Sequence, residues 1–204
     1  MVTRRRPLLA LLLVAMLSAS CTTVIQPPAK PTDPDIVLLV THGKSSSLIL
    51  HRGDDATRWA YGDWRYYALG RKESSDALAA ILWPTRAALG RQTIERGPRI
   101  PADLVRRLGI GIDEIFAIEV SRESVVRLET RLQQLFAANL DTLLYNPAPR
   151  LEFVEHPPRY SLVSNSNGRV AAWLRELGCE ISGVPLLSKW RVAAPPSSPE
   201  QNGT

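Results

Sequence analysis

The stretch Tyr160-Ser161-Leu162-Val163-Ser164-Asn165-Ser166-Asn167-Gly168-Arg169-Val170-Ala171-Ala172-Trp173-Leu174 reads as a short strand running into the start of a helix, with Ser166 at the junction. Val170, Trp173, Leu174 and Leu177 fall at i, i+3, i+4 and i+7 and form one helical face, preceded by the small polar residues Ser164 to Asn167. A side chain at such a junction meets free backbone N–H groups and the positive helix end, which stabilise an anion and favour cysteine nucleophiles. Here the residue is serine, and the plain alternative is that Ser164, Asn165 and Ser166 only cap the helix. Cys179 cannot substitute, because thirteen residues at about 1.5 Å each place it roughly 20 Å along that helix axis. A buried structural thiol is the expected role for Cys179.

Working outward, the 204 residues, 45% hydrophobic and 22% charged, suit one globular domain with a sizeable core. Arg4, Arg5 and Arg6, the apolar run Leu8 to Leu17 and the small residues Ser18-Ala19-Ser20 have the order of a signal peptide over residues 1–20. The run is shorter than the about 20 residues a permanent span needs. Leu17 to Cys21 resembles the bacterial lipoprotein signal, which implies that Cys21 is lipidated and becomes the first mature residue. The alternative is ordinary secretion with Cys21 a bystander. Losing three arginines lowers the net charge from +5 to +2, and no dense basic face follows, so nucleic acid is not an expected partner. With Cys21 acylated, Cys179 has no partner for an internal disulfide.

Residues 21–34, with Pro27, Pro28, Pro31 and Pro34, read as a lipidated cysteine and an extended tether, and the folded part is expected at 35–192. Ile36 to Val40 and Ser47 to His51 read as a hairpin across Thr41 to Lys44. Trp59 to Leu69 is aromatic-rich and reads as a strand or strand-loop-strand. Ser74 or Ser75 opens a helix ended by Pro84, and Gln92 to Arg96 returns as a short strand. Ala102 to Leu108 is a short helix and Ile115 to Val120 a strand. Ser121 caps a helix with Val125, Leu128, Leu132, Leu135 and Phe136 on one side and a solvated face that includes Arg127, Glu129 and Arg131. Leu151 to Glu155 and Tyr160 to Val163 read as two strands around a His156-Pro157-Pro158 turn. Residues 193–204 read as a disordered tail.

The chain has no paired-cysteine or clustered-histidine metal spacing, no phosphate-cradling glycine loop and no Gly-x-Ser-x-Gly elbow, so no metal or cofactor is expected. His51 and His156 read as surface or turn residues, leaving His42 as the histidine of interest.

Thr41-His42-Gly43-Lys44-Ser45-Ser46-Ser47-Leu48-Ile49-Leu50, Tyr61-Gly62-Asp63-Trp64-Arg65-Tyr66-Tyr67, Ala77 to Pro84 and Tyr160 to Gly178 together resemble an uncharacterised bacterial exported-protein family, catalogued as a domain of unknown function and often encoded near urease genes. The family typically reads Ser-His-Gly-Trp-His-Thr-Gly in the first segment and Thr-Cys-Asn-Thr-Trp in the last. That order is similar to the permuted papain-like, NlpC-type hydrolases of cell-wall peptides and lipids. The resemblance implies that the family's base falls on Ser45 and its cysteine nucleophile on Ser166, followed by Asn167. His42 and Gly43 match the family, whereas Lys44 and Arg169 stand where it has tryptophans.

A serine hydroxyl needs a positioned general base, and Ser45 cannot be one. His42, three residues from Ser45, points to the opposite face of a strand unless Gly43 bends the chain. The expected fold is therefore α+β, an antiparallel sheet with packed helices resembling a permuted papain-like domain. The expected function is a lipid-anchored envelope protein facing the periplasm or exterior, with a degenerate hydrolase site at Ser166 and Ser45 that binds or scaffolds. Asn167, Asp63 and Trp64 are the expected binding residues, and a cell-wall peptide or acyl group the expected ligand. The alternatives are an active amide or ester hydrolase using Ser166 with His42, and a purely structural lipoprotein.

Overall fold

The two apolar runs flanking Thr41 to Lys44 pair as β2 (Pro34–His42) and β3 (Ser45–Arg52), closed by a two-residue turn at Gly43 and Lys44 in a computed structural model that describes residues 22–70, 84–95, 108, 111–161 and 164–194. Gly43 has φ +59°, the left-handed value that the first position of such a turn requires. β4 (Asp55–Asp63), β5 (Thr85–Ile94), β6 (Glu114–Ser121), β7 (Leu144–Asn146) and β8 (Leu151–Tyr160) complete a seven-stranded antiparallel sheet of order β6-β2-β3-β4-β5-β8-β7.

Both faces of this sheet are covered, which is why the central runs Val37 to Val40 of β2 and Leu48 to Leu50 of β3 are continuously apolar rather than alternating. Val37, Leu39, Leu48, Leu50, Trp59 and Tyr61 face the helices α1 (Arg122–Ala137) and α2 (Ser166–Glu176). Leu38, Val40 and Ile49 face the other way, in a cluster with Ala56, Ile94 and Leu108. α2 lies on β3 and β4 and buries Val170, Trp173 and Leu174. Each such side chain contributes about 1.5–3 kcal/mol on leaving water. α1 begins where Ser121 accepts the Ser124 N–H, as its cap position predicts.

The fold starts earlier than Asp35. Thr23–Gln26 forms β1, parallel to β10 (Trp190–Val192) and antiparallel to β9 (Glu180–Ser182) in a second, three-stranded sheet, and Ile25 is fully buried. The prolines that suggested a tether begin only at Pro27, and the β-branched Thr23, Val24 and Ile25 before them suit a strand. Ala193 and Ala194, expected in a tail, are held by hydrogen bonds to Ile25 and Gln26.

Other expectations also change. Leu151 to Tyr160 is one strand and not two: a register shift against β5 between Thr85 and Ala87 absorbs the Pro157-Pro158 segment without ending the pairing. Gln92 is the late part of a strand that begins at Thr85. Its Ala87, Ala88 and Gly90 have little strand propensity and are chosen by close packing, Phe153 standing where a Gly90 side chain would go. Glu129 lies inside, 2% exposed, accepting from Trp59 Nε1 at 2.6 Å and Thr57 Oγ1 at 2.9 Å. His51 and His156 are buried strand residues, not surface ones. The helix expected after Ser74 or Ser75 lies outside the described residues, as does all of Ala102 to Leu108 but Leu108. No helix among the described residues is long and apolar enough to cross a membrane.

Candidate functional site

α2 starts beside the β2–β3 hairpin because Asn167 ties the two together. Its Oδ1 accepts from Ser46 Oγ at 2.9 Å, and its Nδ2 donates to Lys44 O at 3.0 Å and to Leu186 O at 3.4 Å. Trp190 Nε1 donates to the same Ser46 hydroxyl at 2.8 Å. Asn167 is almost wholly buried, so its role here is to position the helix. Asn165 is the cap, accepting the Gly168 N–H at 2.7 Å.

Ser45 and Ser166, distant in sequence, meet on one phenol. The Tyr67 hydroxyl shares hydrogen bonds with both serine hydroxyls. Tyr67 reaches them from a π-helical turn, Trp64–Ala68, that follows β4. Asp63 sets that turn by accepting the Tyr66 N–H at 2.8 Å and the Thr85 hydroxyl, while Trp64 packs with Tyr67 against Ala60, Ala88 and Phe153. Asp63 and Trp64, expected to bind ligand, thus place Tyr67.

The β3–β4 pairing runs from Arg52–Asp55 to Ser47–Ala60 and stops. Its next pair on the same register side would be Ser45 and Gly62. The Tyr67 ring lies there instead: a Cβ on Gly62 would stand 2.1 Å from Tyr67 Cδ2. Burial, and the nearby Tyr66 and Asp63, raise the Tyr67 pKa above its usual value against the opposing effect of its two serine partners. The phenol is therefore a neutral hydroxyl at physiological pH. The Ser166 backbone N–H, a donor that an acyl-transfer site would keep for an oxyanion, is hydrogen-bonded with Tyr160, whose pKa is raised mainly by burial.

His42 pairs across the hairpin with Ser45, but its ring is held by other partners. Its Nε2 receives Arg58 Nη2 at 3.1 Å and lies 3.2 Å from Ser47 Oγ. A guanidinium only donates, so this nitrogen carries the lone pair and the ring is neutral. Burial first, and Arg58 second, bring the His42 pKa down to about 4. Ser47 and Arg58 alternate with Ser46 and Trp59 along their strands, so His42 and its cross-strand partner Ser45, expected on opposite faces, share the face turned away from Trp59. The glycine turn closes the hairpin without carrying the imidazole to Ser166.

His156, by contrast, is on the helix-facing side, edge-on to Tyr61 at 5.7 Å, and Arg169 lies 4.8 Å over that same Tyr61 ring. Burial and then Arg169 lower the His156 pKa to about 4. Arg169 stands where the resembled family has tryptophan. Cys179 is buried as expected, and burial lifts its thiol to about 11. Cys21 lies outside the described residues.

Ser45 and Ser166 are only 8% and 3% exposed. A groove of about 570 Å³ is found elsewhere, along α1 beside Arg127, Arg131, Gln134 and Glu176. Tyr67 is the site residue that sequence reading missed. Its one signal was membership of the aromatic run after Gly62, which gives no indication of which ring points where. Comparison of the chain with protein-family models, with curated proteins and with solved structures gives no match in any of the three.

Proposed function

We propose that this chain is a lipid-anchored bacterial envelope protein that works by binding or scaffolding, its papain-like hydrolase site degenerate. The observation that carries the reading is the placement of Tyr67, whose hydroxyl fills the position between Ser45 and Ser166 where a nucleophile and its base would meet. A neutral phenol with a raised pKa does not accept a proton from serine, so the cluster has no base. His42 is spoken for by Arg58 and Ser47. The lipid anchor is supported by the basic, apolar and small-residue order ahead of Cys21.

The chemical half of this reading is tested with serine-directed fluorophosphonate probes and a panel of cell-wall peptides and esters, run beside a Ser166→Ala variant. No labelling and no turnover are expected. Labelling that Ser166→Ala abolishes makes the chain a serine hydrolase and turns attention to His42. The anchor is tested by mass spectrometry of the mature N-terminus, where a diacylated Cys21 is expected.

A further inference from the structure

We infer that the loop Gly183 to Leu187 is a bilayer-contact surface, seated in the headgroup region of the membrane that holds the chain through Cys21. The inference rests on the lipid-anchor reading above and adds to it an orientation.

Three aliphatic side chains stand out of this loop, Val184 at 56%, Leu186 at 44% and Leu187 at 38% exposure. The backbone that carries them is fixed rather than loose. Leu186 N–H donates to Val184 O at 2.8 Å, a tight turn about Pro185. Asn167 Nδ2 reaches Leu186 O at 3.4 Å, and Ser188 Oγ donates to Gly43 O at 2.5 Å. These contacts direct backbone polar groups toward the protein while the aliphatic groups remain outside.

The place of this loop decides what covers it. Gly183, at φ +88°, lies so close to the chain's first described residue that a Cβ there would stand 2.9 Å from Thr22 O. At the loop's other end, Thr23 N–H donates to Lys189 O at 2.9 Å. Thr22 directly follows Cys21, and consecutive Cα atoms are about 3.8 Å apart. β1 begins at Thr23, leaving no slack between anchor and fold. Acyl chains on Cys21 would thus enter the bilayer next to Val184, Leu186 and Leu187, with no linker long enough to lift those side chains clear.

Charge at this end is mixed, with lysines nearest the loop and Asp113 and Glu114 on the hairpin side. Lys44 and Lys189, both exposed, flank the loop, and a lysine near an anionic headgroup is favoured. The Asp113 carboxylate at the hairpin tip accepts the Gly43 N–H at 2.7 Å. Three aliphatic residues are too few to hold a protein on a membrane alone, so the loop orients a chain that the lipid retains. Through Asn167, the orientation puts the α2 start and the hairpin tip on the membrane side of the molecule.

The test uses the mature full chain, extracted from membranes and reconstituted in phosphatidylethanolamine–phosphatidylglycerol vesicles with or without brominated acyl chains. An environment-sensitive fluorophore is attached at Leu187→Cys, or at Val184→Cys as a second position, and at Val126→Cys on the exposed side of α1 as the reference. Cys179 is buried and resists the label, and peptide mapping verifies the attachment point. Brominated lipid should quench the loop positions severalfold and leave position 126 unchanged. Loop positions quenched no more than position 126, or a chain that does not associate with the vesicles, overturn the inference. The N-terminal mass of the same sample separates the two readings. A diacylated terminus without loop quenching removes the loop contact alone, whereas loop quenching with an unacylated terminus removes the anchor alone.

Discussion

Tyr67 can reach Ser45 only because position 62 has no side chain, so the closure of the site is set by a pair of residues five apart. An added Cβ at Gly62 would meet the body of the ring, at 2.1, 2.4 and 2.7 Å from Cδ2, Cε2 and Cγ, and a ring held at both ends cannot yield as a flexible tip would. Gly62→Ala should therefore cost about 1–3 kcal/mol, the usual range for forcing extra volume into a packed site. In a Tyr67→Ala background the same change should cost little, and urea denaturation of the four proteins measures the coupling. Equal costs in both backgrounds would show that Gly62 is needed for another reason. Tyr67→Phe keeps the ring and removes the hydroxyl, leaving Ser45 and Ser166 buried without their shared partner. About 1–3 kcal/mol is expected for that loss as well.

Among the elements, β1 distinguishes a folded N-terminus from a tether most sharply. Ile25 is fully buried in the helix-side core, so Ile25→Ala should destabilise the protein by about 2–5 kcal/mol, as large-to-small core changes do. A tether residue would give no measurable change, and the denaturation midpoint decides. The strands β2, β3 and β6 and both helices were legible in the sequence because apolar run length, helical spacing and the Ser121 cap are local signals. β1 was hidden by the prolines behind it. β5 was hidden because Ala87, Ala88 and Gly90 answer to neighbours such as Phe153, which lies sixty-three residues beyond Gly90. The same division runs through the site. The helix start at Ser166 could be read from local pattern, whereas Tyr67, the burial of Glu129 and the pairing of His42 with Arg58 depend on which strands become neighbours.

At the scale of the whole molecule, two histidines with lowered pKa values, on opposite faces of one sheet, make stability depend on pH. His42 and His156 both have folded pKa values near 4, below the 6.5 of a free imidazole, so each prefers to be neutral when folded. Above pH 6.5 both states are neutral and the histidines impose no penalty. As the pH falls from 6.5 toward 4, the unfolded chain takes up protons that the folded chain refuses, and stability is lost across that window. Between pH 7.5 and 5.5 the loss should approach about 1–1.5 kcal/mol per histidine. Urea denaturation at several pH values should show the decline in the parent protein and a flatter profile in a His42→Gln, His156→Gln variant. The comparison is of slopes, because either substitution also changes packing and hence absolute stability. A double variant as steep as the parent would place the acid sensitivity outside these two rings, and a parent stability that rises on acidification would mean that they are charged in the fold.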